Sequence, residues 1–339
     1  MRLHSFLPLL FLFIATALHA QSADFIVVNK VPNDSGEKGS ISFVDYTAGT
    51  TVATVAVDRE PHEIERSADG RYALVANTGG YKTPNNTLSL IDVAEQRVAR
   101  TVNLGALRTP HGLAYAPAHG VFYFTAEGSS VIGAYDPAAD SLTWVQGTGQ
   151  AGTHMLLVSD DGRTIVTANR DGGTVSVFKL EGDDPLAAAA WTGHLLEVGE
   201  KPEGLAFSPD GTQAWVGLRG GDGIVIVNLA AAKISGRFPL RNHPVARLLF
   251  TPDGRYLLAA DPNEGSVLFI NAERREIERI VPVGDSAESL FLPPGGTHLL
   301  VGVASENAIV EIDLETREVT RRIDGGPYPD AMVWIGQED

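Results

Sequence analysis

Ionisable side chains recur at one point of a short phrase that is repeated along this chain. The phrase leads into an apolar run, as in Pro61-His62-Glu63-Ile64. The second residues of its seven copies are His62, His111, His154, Glu203, Ala246, Glu288 and Asp330. Imidazole and carboxylate groups bind metal ions and transfer protons near neutral pH. If the copies form a ring, six such groups face one axis.

Consecutive copies of the phrase predict a metal site. Its ligands are His62, His111, His154 and Glu203. This set suits zinc, copper, iron or manganese, whereas calcium prefers six to eight oxygen ligands. Four protein ligands would also close a tetrahedral site, as structural metal sites do. The alternative is a wet channel lined by solvated polar groups, without a metal.

Two more carboxylates complete the predicted ring. Glu288 and Asp330 would lie across the channel from the metal ligands. Either could act as a general base on water that a metal ion activates. The sequence therefore predicts these two residues as catalytic candidates.

A second group of polar residues follows the second apolar run of the repeat. In matching copies we place Asn29, Asn77, Glu127, Asn169 and Asp261 there. These ends should lie on the same face as the ring, so we expect Asn77 and Asn169 to contact a ligand. Arg170 and Arg219 follow on neighbouring copies and could bind an anion. Insertions at 30–39 and 78–86 extend the same face, as a partial lid or as solvated decoration.

The spacing of the phrase predicts the fold. Successive second residues are 49, 43, 49, 43, 42 and 42 residues apart. Short apolar runs with turns such as Ser208-Pro209-Asp210-Gly211 indicate strands, and a period in the forties is typical of propeller blades. We expect an all-β, seven-bladed β-propeller of four-stranded antiparallel blades. One blade is shared by 24–60 and 329–334, so the C-terminal innermost strand pairs with the N-terminal strands.

The N-terminus and the composition predict an exported protein. Residues 1–20 combine Arg2, an apolar run and Ala20, which is the pattern of a cleaved signal peptide, and 21–339 form the single domain. The absence of cysteine excludes a lipoprotein anchor, so we expect a periplasmic or secreted location. A net charge of −16 disfavours binding to nucleic acid or to membrane surfaces. We expect a monomer.

The blade phrases resemble those of the YVTN-type repeat family of exported bacterial propellers. The resemblance rests on phrases such as Pro-His-Gly-Leu at 110–113 and Gly-Thr-Val-Ser-Val at 173–177, and it covers the chain from Asp24 to Trp334. The site position is similar to that of gluconolactonase and regucalcin propellers, whose metal ligands also begin innermost strands. Here three imidazoles stand where that group has amides or carboxylates.

Two functions follow as hypotheses. The first is a module that binds a small molecule, a metal ion or a partner protein on the ring face. The second is a metal-dependent hydrolase of the lactonase or esterase type that uses the same ring. A copper oxidoreductase is a further possibility. A fold of this kind does not by itself confer activity, so binding is preferred.

Overall fold

Seven four-stranded antiparallel sheets form a closed ring. The computed structural model describes residues 23–80, 82–187 and 190–336, so the predicted signal peptide lies outside the described residues. Within those ranges the chain folds into 28 strands and two single-turn helices, Glu127–Ser129 and Ala304–Glu306. The predicted all-β, seven-bladed propeller is confirmed.

The strands follow one another blade by blade. Blade I contains β1 (Phe25–Asn29), β2 (Lys38–Asp45) and β3 (Thr50–Arg59), together with β28 (Pro329–Trp334). Blade II contains β4 (Pro61–Arg66), β5 (Tyr72–Gly79), β6 (Pro84–Asp92) and β7 (Arg97–Asn103). Blade III contains β8 (Pro110–Ala116), β9 (Val121–Ala126), β10 (Val131–Asp136) and β11 (Ser141–Gly147). Blade IV contains β12 (Thr153–Val158), β13 (Thr164–Asn169), β14 (Thr174–Leu180) and β15 (Trp191–Glu197).

The remaining blades repeat this order. Blade V contains β16 (Pro202–Phe207), β17 (Gln213–Leu218), β18 (Ile224–Asn228) and β19 (Lys233–Phe238). Blade VI contains β20 (Arg247–Phe250), β21 (Tyr256–Asp261), β22 (Ser266–Asn271) and β23 (Glu276–Pro282). Blade VII contains β24 (Ala287–Phe291), β25 (His298–Val303), β26 (Ala308–Asp313) and β27 (Glu318–Ile323).

Apolar side chains between neighbouring blades hold the ring together. Leu74 and Leu88 of blade II pack in one cluster with Phe122 and Phe124 of blade III, and all four are fully buried. Second strands such as β9 are buried along their whole length, whereas fourth strands such as β7 are mostly exposed. Burial thus decreases from the middle strands to the outer edge of each blade, which leaves only short outer edges in solvent.

The innermost strands surround the central channel. β28, β4, β8, β12, β16, β20 and β24 each contact the next, and β24 contacts β28 again. The ring closes because β28 pairs antiparallel with β1, with Phe25 opposite Trp334. Both helices among the described residues are single turns, and neither is long and apolar enough to cross a bilayer.

Candidate functional site

The six polar ring residues share a local backbone conformation. Each ring residue is the second residue of a repeated phrase, which is called the ring phrase below. The residue just before each of these six phrases has a positive φ, a conformation that non-glycine residues rarely adopt. These residues are Glu60, Thr109, Gly152, Lys201, Ser286 and Tyr328, with φ between 46° and 66°. Pairing of each innermost strand with its second strand then shifts in register at the phrase. Such irregularities turn a side chain away from its regular direction.

The seventh copy lacks both features. β20 pairs with β21 without a register shift, and neither Pro244 nor Val245 has a positive φ. This is the copy in which the ring residue is Ala246. The backbone irregularity and the polar ring residue therefore occur together.

The same left-handed residues position a second tier of side chains. Each accepts a backbone hydrogen bond at 2.7–3.2 Å from a residue at or just after the end of its blade's second strand. The residues that donate these bonds are Lys30, Thr78, Glu127, Arg170, Arg219 and Ala304. All except Ala304 line the cavity at this end of the channel. One local conformation in six of the seven blades thus positions both a ring residue and a second-tier residue.

In blades I, II and IV the tier residue lies one position after the predicted asparagine, whereas in blade III it is the predicted Glu127. Asn77 and Asn169 are fully buried inside their blades and lie outside the cavity lining. Asn77 donates its amide to Thr87 and Ser89 at 3.1 and 3.0 Å, and Asn169 makes the equivalent bonds in blade IV. Their amides hold strands together, so the neighbouring Thr78 and Arg170 face the cavity instead.

The two tiers enclose one cavity of about 170 Å³. His62, His111, His154, Glu203, Glu288 and Asp330 all line it. Asn33, Thr78, Gly79 and Gly80 of the two insertions line it too, so the insertions border the cavity at the position predicted for a lid. The volume has room for a molecule of at least about six non-hydrogen atoms.

One side of the cavity is a row of three imidazoles. The ring centroids of His62 and His111 are 5.0 Å apart, and those of His111 and His154 are 3.9 Å apart. Each outer imidazole contacts a carboxylate through Nδ1. His154 lies 3.1 Å from Glu127 and His62 lies 3.4 Å from Asp330. A carboxylate therefore orients the imidazole at each end of the row.

Burial keeps the middle of this row uncharged. It lowers the pKa of His111 well below its ordinary value, and the adjacent His154 and His62 lower it further. Burial also lowers the pKa of His62, although its hydrogen bond to Asp330 offsets part of the effect. Neutral imidazoles of this kind accept a proton or a hydrogen bond through the unprotonated nitrogen.

The other side of the cavity consists of ion pairs. Arg219 contacts Glu203 at 2.6 Å and Glu288 at 3.2 Å, and Arg170 contacts Glu203 at 3.0 Å. Lys30 contacts Asp330 at 3.2 Å. Two of the predicted ligand contacts, Arg170 and Arg219, thus lie in the cavity but are paired with ring carboxylates.

These pairs keep the predicted general bases ionised. Burial raises the pKa of Glu288, but Arg219 and Lys30 outweigh it and leave the pKa below its ordinary value. Burial likewise raises the pKa of Asp330, and the charge of Lys30 and the contact with His62 more than reverse this. A carboxylate with a lowered pKa accepts a proton weakly near neutral pH, so the ion pairs weaken both residues as bases.

Sequence reasoning missed an ion pair across the channel. Arg247 of β20 contacts Glu63 of β4, on the opposite side of the ring, and both side chains are largely buried. Arg247 also lines the cavity. Both residues directly follow a ring position, where Gly112 and Gly204 occur in other copies. The opposite charges of Glu63 and Arg247 at this position of two copies could have predicted the ion pair.

The four predicted metal ligands lie together but are not arranged as a metal site. Glu203 is occupied by Arg170 and Arg219, and the imidazoles of His111 and His154 lie side by side. Among residues 23–80, 82–187 and 190–336, no group of three or more His, Asp or Glu side chains has a geometry that could hold a metal ion. The bound metal stays a prediction.

Comparison with known proteins supports the fold. No protein-family model and no curated protein matches the chain. A candidate 6-phosphogluconolactonase of Bacteroides uniformis is 16% identical, with a TM-score of 0.72 over 93% of this chain and all of that one. Hydrazine synthase of Kuenenia stuttgartiensis is 18% identical, with a TM-score of 0.69 over 84% of this chain and 94% of that one.

A third similar structure is the dihydro-heme d1 dehydrogenase NirN, solved in complex with DHE. It is 15% identical, with a TM-score of 0.64 over 94% of this chain and 77% of that one. At these identities the likeness concerns the fold alone, because proteins of different names share it.

Proposed function

We propose that this protein is an exported propeller of the YVTN-repeat type that binds a small polar ligand in the cavity between its ring and its two insertions. One observation carries the proposal. His111 Nδ1 and Glu127 Oε1 are buried in the cavity lining and have no hydrogen-bond partner among the described residues. Buried polar atoms are nearly always paired, so a ligand that supplies partners would remove a cost of about 1–3 kcal/mol for each atom.

The preorganised lining supports the same conclusion. Five second-tier residues are anchored by backbone hydrogen bonds that they donate to the left-handed residues, and ion pairs hold most of the charged side chains. Binding therefore requires little ordering of side chains. At flexible sites the entropy cost of such ordering reduces the affinity. The alternative within this proposal is that the same face binds a partner protein instead of a small molecule. We expect the chain to act as a periplasmic or secreted monomer.

The test is native mass spectrometry of protein purified from the periplasm without chelator. A bound small molecule in the native protein, absent from a His111→Phe variant, is the expected result. His298→Phe is the matched control, because His298 lies on β25 outside the cavity lining. A ligand-free native protein that no compound of a polar metabolite library stabilises thermally would overturn the proposal.

A metal-dependent lactonase or esterase is the second candidate. The adjacency of three imidazoles, two of them with a lowered pKa, favours it, as does the name of the Bacteroides uniformis neighbour. Elemental analysis of the same preparation tests it. Near-stoichiometric zinc, copper, iron or manganese, lost in a His62→Ala, His111→Ala, His154→Ala variant, would support this candidate and justify lactone, ester and redox assays. A metal-free native protein after reloading would remove it.

A further inference from the structure

The cationic side chains of the cavity are already matched by carboxylates. Among the described residues, four Lys and Arg side chains line it, and each lies in contact with at least one acidic side chain. The contacts are Lys30 with Asp330, Arg170 with Glu203, Arg219 with Glu203 and Glu288, and Arg247 with Glu63. An anionic ligand would have to compete with these pairs for a positive charge. Breaking a buried pair is costly because it leaves a carboxylate without its partner.

Two carboxylates of the lining, Glu60 and Glu127, have no Lys or Arg in contact among the described residues. Glu127 contacts His154 through Oε2 at 3.1 Å, while its Oε1 has no hydrogen-bond partner. Glu60, the other acidic residue without a Lys or Arg contact, accepts the backbone N–H groups of Asp34 and Gly36 with its two oxygens. Of these two carboxylates, only Glu127 keeps an oxygen without a hydrogen-bond partner among the described residues.

A second unpaired atom belongs to the same lining and is linked to this carboxylate through His154. His111 stacks on His154, which Glu127 orients, and its Nδ1 has no hydrogen-bond partner among the described residues. His111 and Glu127 are only 4% and 7% exposed. Glu127 Oε1 accepts hydrogen bonds, and His111 Nδ1 does so in the tautomer that carries its proton on Nε2, so in that tautomer a donor group pairs with both atoms.

We propose that the ligand is a small organic cation whose ammonium group donates hydrogen bonds to Glu127 Oε1 and His111 Nδ1. This inference rests on the proposed function, because it names the class of molecule that the cavity binds. An ammonium carries three donors and one positive charge, which matches these two acceptors and the carboxylate charge of Glu127. A bare metal ion would instead require several converging ligands, an arrangement that the described residues do not provide.

The charge of the whole chain supports a cationic ligand. The formal net charge is −16, and five acidic against four basic side chains line the cavity. Such a potential raises the local concentration of cations and lowers that of anions. The charge around the cavity and the unpaired acceptors inside it thus favour the same ligand class.

The experiment compares three molecules of similar length by calorimetry at neutral pH: 1,4-diaminobutane, 1,4-butanediol and succinate. We expect saturable binding of the diamine and no binding of the diol or the diacid. Glu127→Gln should weaken diamine binding about tenfold or more, since it removes a charge-assisted hydrogen bond. Glu273→Gln is the matched control, because Glu273 is exposed and outside the lining, and it should leave the affinity unchanged.

A second variant covers the case in which Glu127→Gln does not fold. His111→Phe keeps an aromatic ring beside His154 but removes the acceptor nitrogen, and it should also weaken diamine binding. Failure of the diamine to bind, or equal binding to native protein and both cavity variants, would overturn the inference. Binding of succinate or the diol that His111→Phe abolishes would overturn the cationic class while leaving the proposed function standing.

Discussion

At the scale of single residues, Arg247 and Glu63 form an ion pair that joins two opposite blades across the channel. The two side chains come from blades VI and II and meet across the axis, 15% and 10% exposed. Removing one partner of a largely buried pair leaves an uncompensated charge, whereas replacing both with apolar groups avoids that cost. Each residue of the pair therefore needs the other to offset its buried charge, whereas the pair as a whole adds little to the free energy of unfolding.

Arg247→Met should accordingly destabilise the protein by about 3–5 kcal/mol. The double variant Glu63→Leu, Arg247→Met should recover most of that loss, because no charge stays buried alone. Urea unfolding followed by circular dichroism measures both. If the double variant loses as much as the two single variants together, the residues do not act as a pair.

At this scale the sequence predicted the ring residues and part of the second tier, namely Glu127, Arg170 and Arg219, but not Lys30 or Thr78. The six polar ring residues were identified from the repeated phrase, and all six line one cavity. Asn77 and Asn169 were chosen one position too early, because the left-handed residue before each ring phrase bonds to the residue after them. Glu60, Thr109, Lys201, Ser286 and Tyr328 are not glycines, so nothing in their side chains signals a positive φ.

At the scale of elements, the two insertions are packed on each other and on Glu60. Its carboxylate accepts the N–H groups of Asp34 and Gly36, and Asp34 in turn accepts the N–H of Lys82. One buried acidic side chain thus connects the segment after β1 to the ring phrase of blade II. The insertions border the cavity because of these contacts, a result that loop length alone could not predict.

Glu60→Gln should loosen the first insertion without unfolding the blades. The substitution replaces one acceptor oxygen by a donor, so one of the two N–H groups loses its partner at a cost of about 1–2 kcal/mol. Amide hydrogen exchange at Asp34 or Gly36 should become roughly tenfold faster, while exchange in β5 stays unchanged. The exposed Glu37 supplies the control, Glu37→Gln. Unchanged exchange at both amides would show that the loops hold their position without Glu60.

At the scale of the whole molecule, the blade count and the closure were the most predictable features. Seven copies at a period in the forties define the ring, and the unmatched strands at the two ends of the chain define the closing pair of β28 and β1. Repetition makes this inference robust, since an error in one copy is corrected by the other six. The chemistry of the cavity depends on residues that differ from copy to copy, such as Ala246 followed by Arg247. Each such residue occurs in one copy only, so the other copies do not help to predict its role.

Closure by a single strand makes the ring sensitive to its C-terminus. A chain that ends at Tyr328 would lose β28, which pairs with β1, contacts β4 and β24, and places Ala331, Met332 and Val333 in the core. It would also lose Asp330 and leave Lys30 without that carboxylate. We expect such a chain to lose cooperative thermal unfolding, since the first blade would have an open inner edge and two blade interfaces would be incomplete. The control ends at Gly336 and keeps the backbone hydrogen bonds of Ile335 and Gly336 to Asp24, so it should melt like the full chain. A cooperative transition at the native temperature in the shorter chain would contradict closure by β28, because the remaining strands would then form a stable body without it.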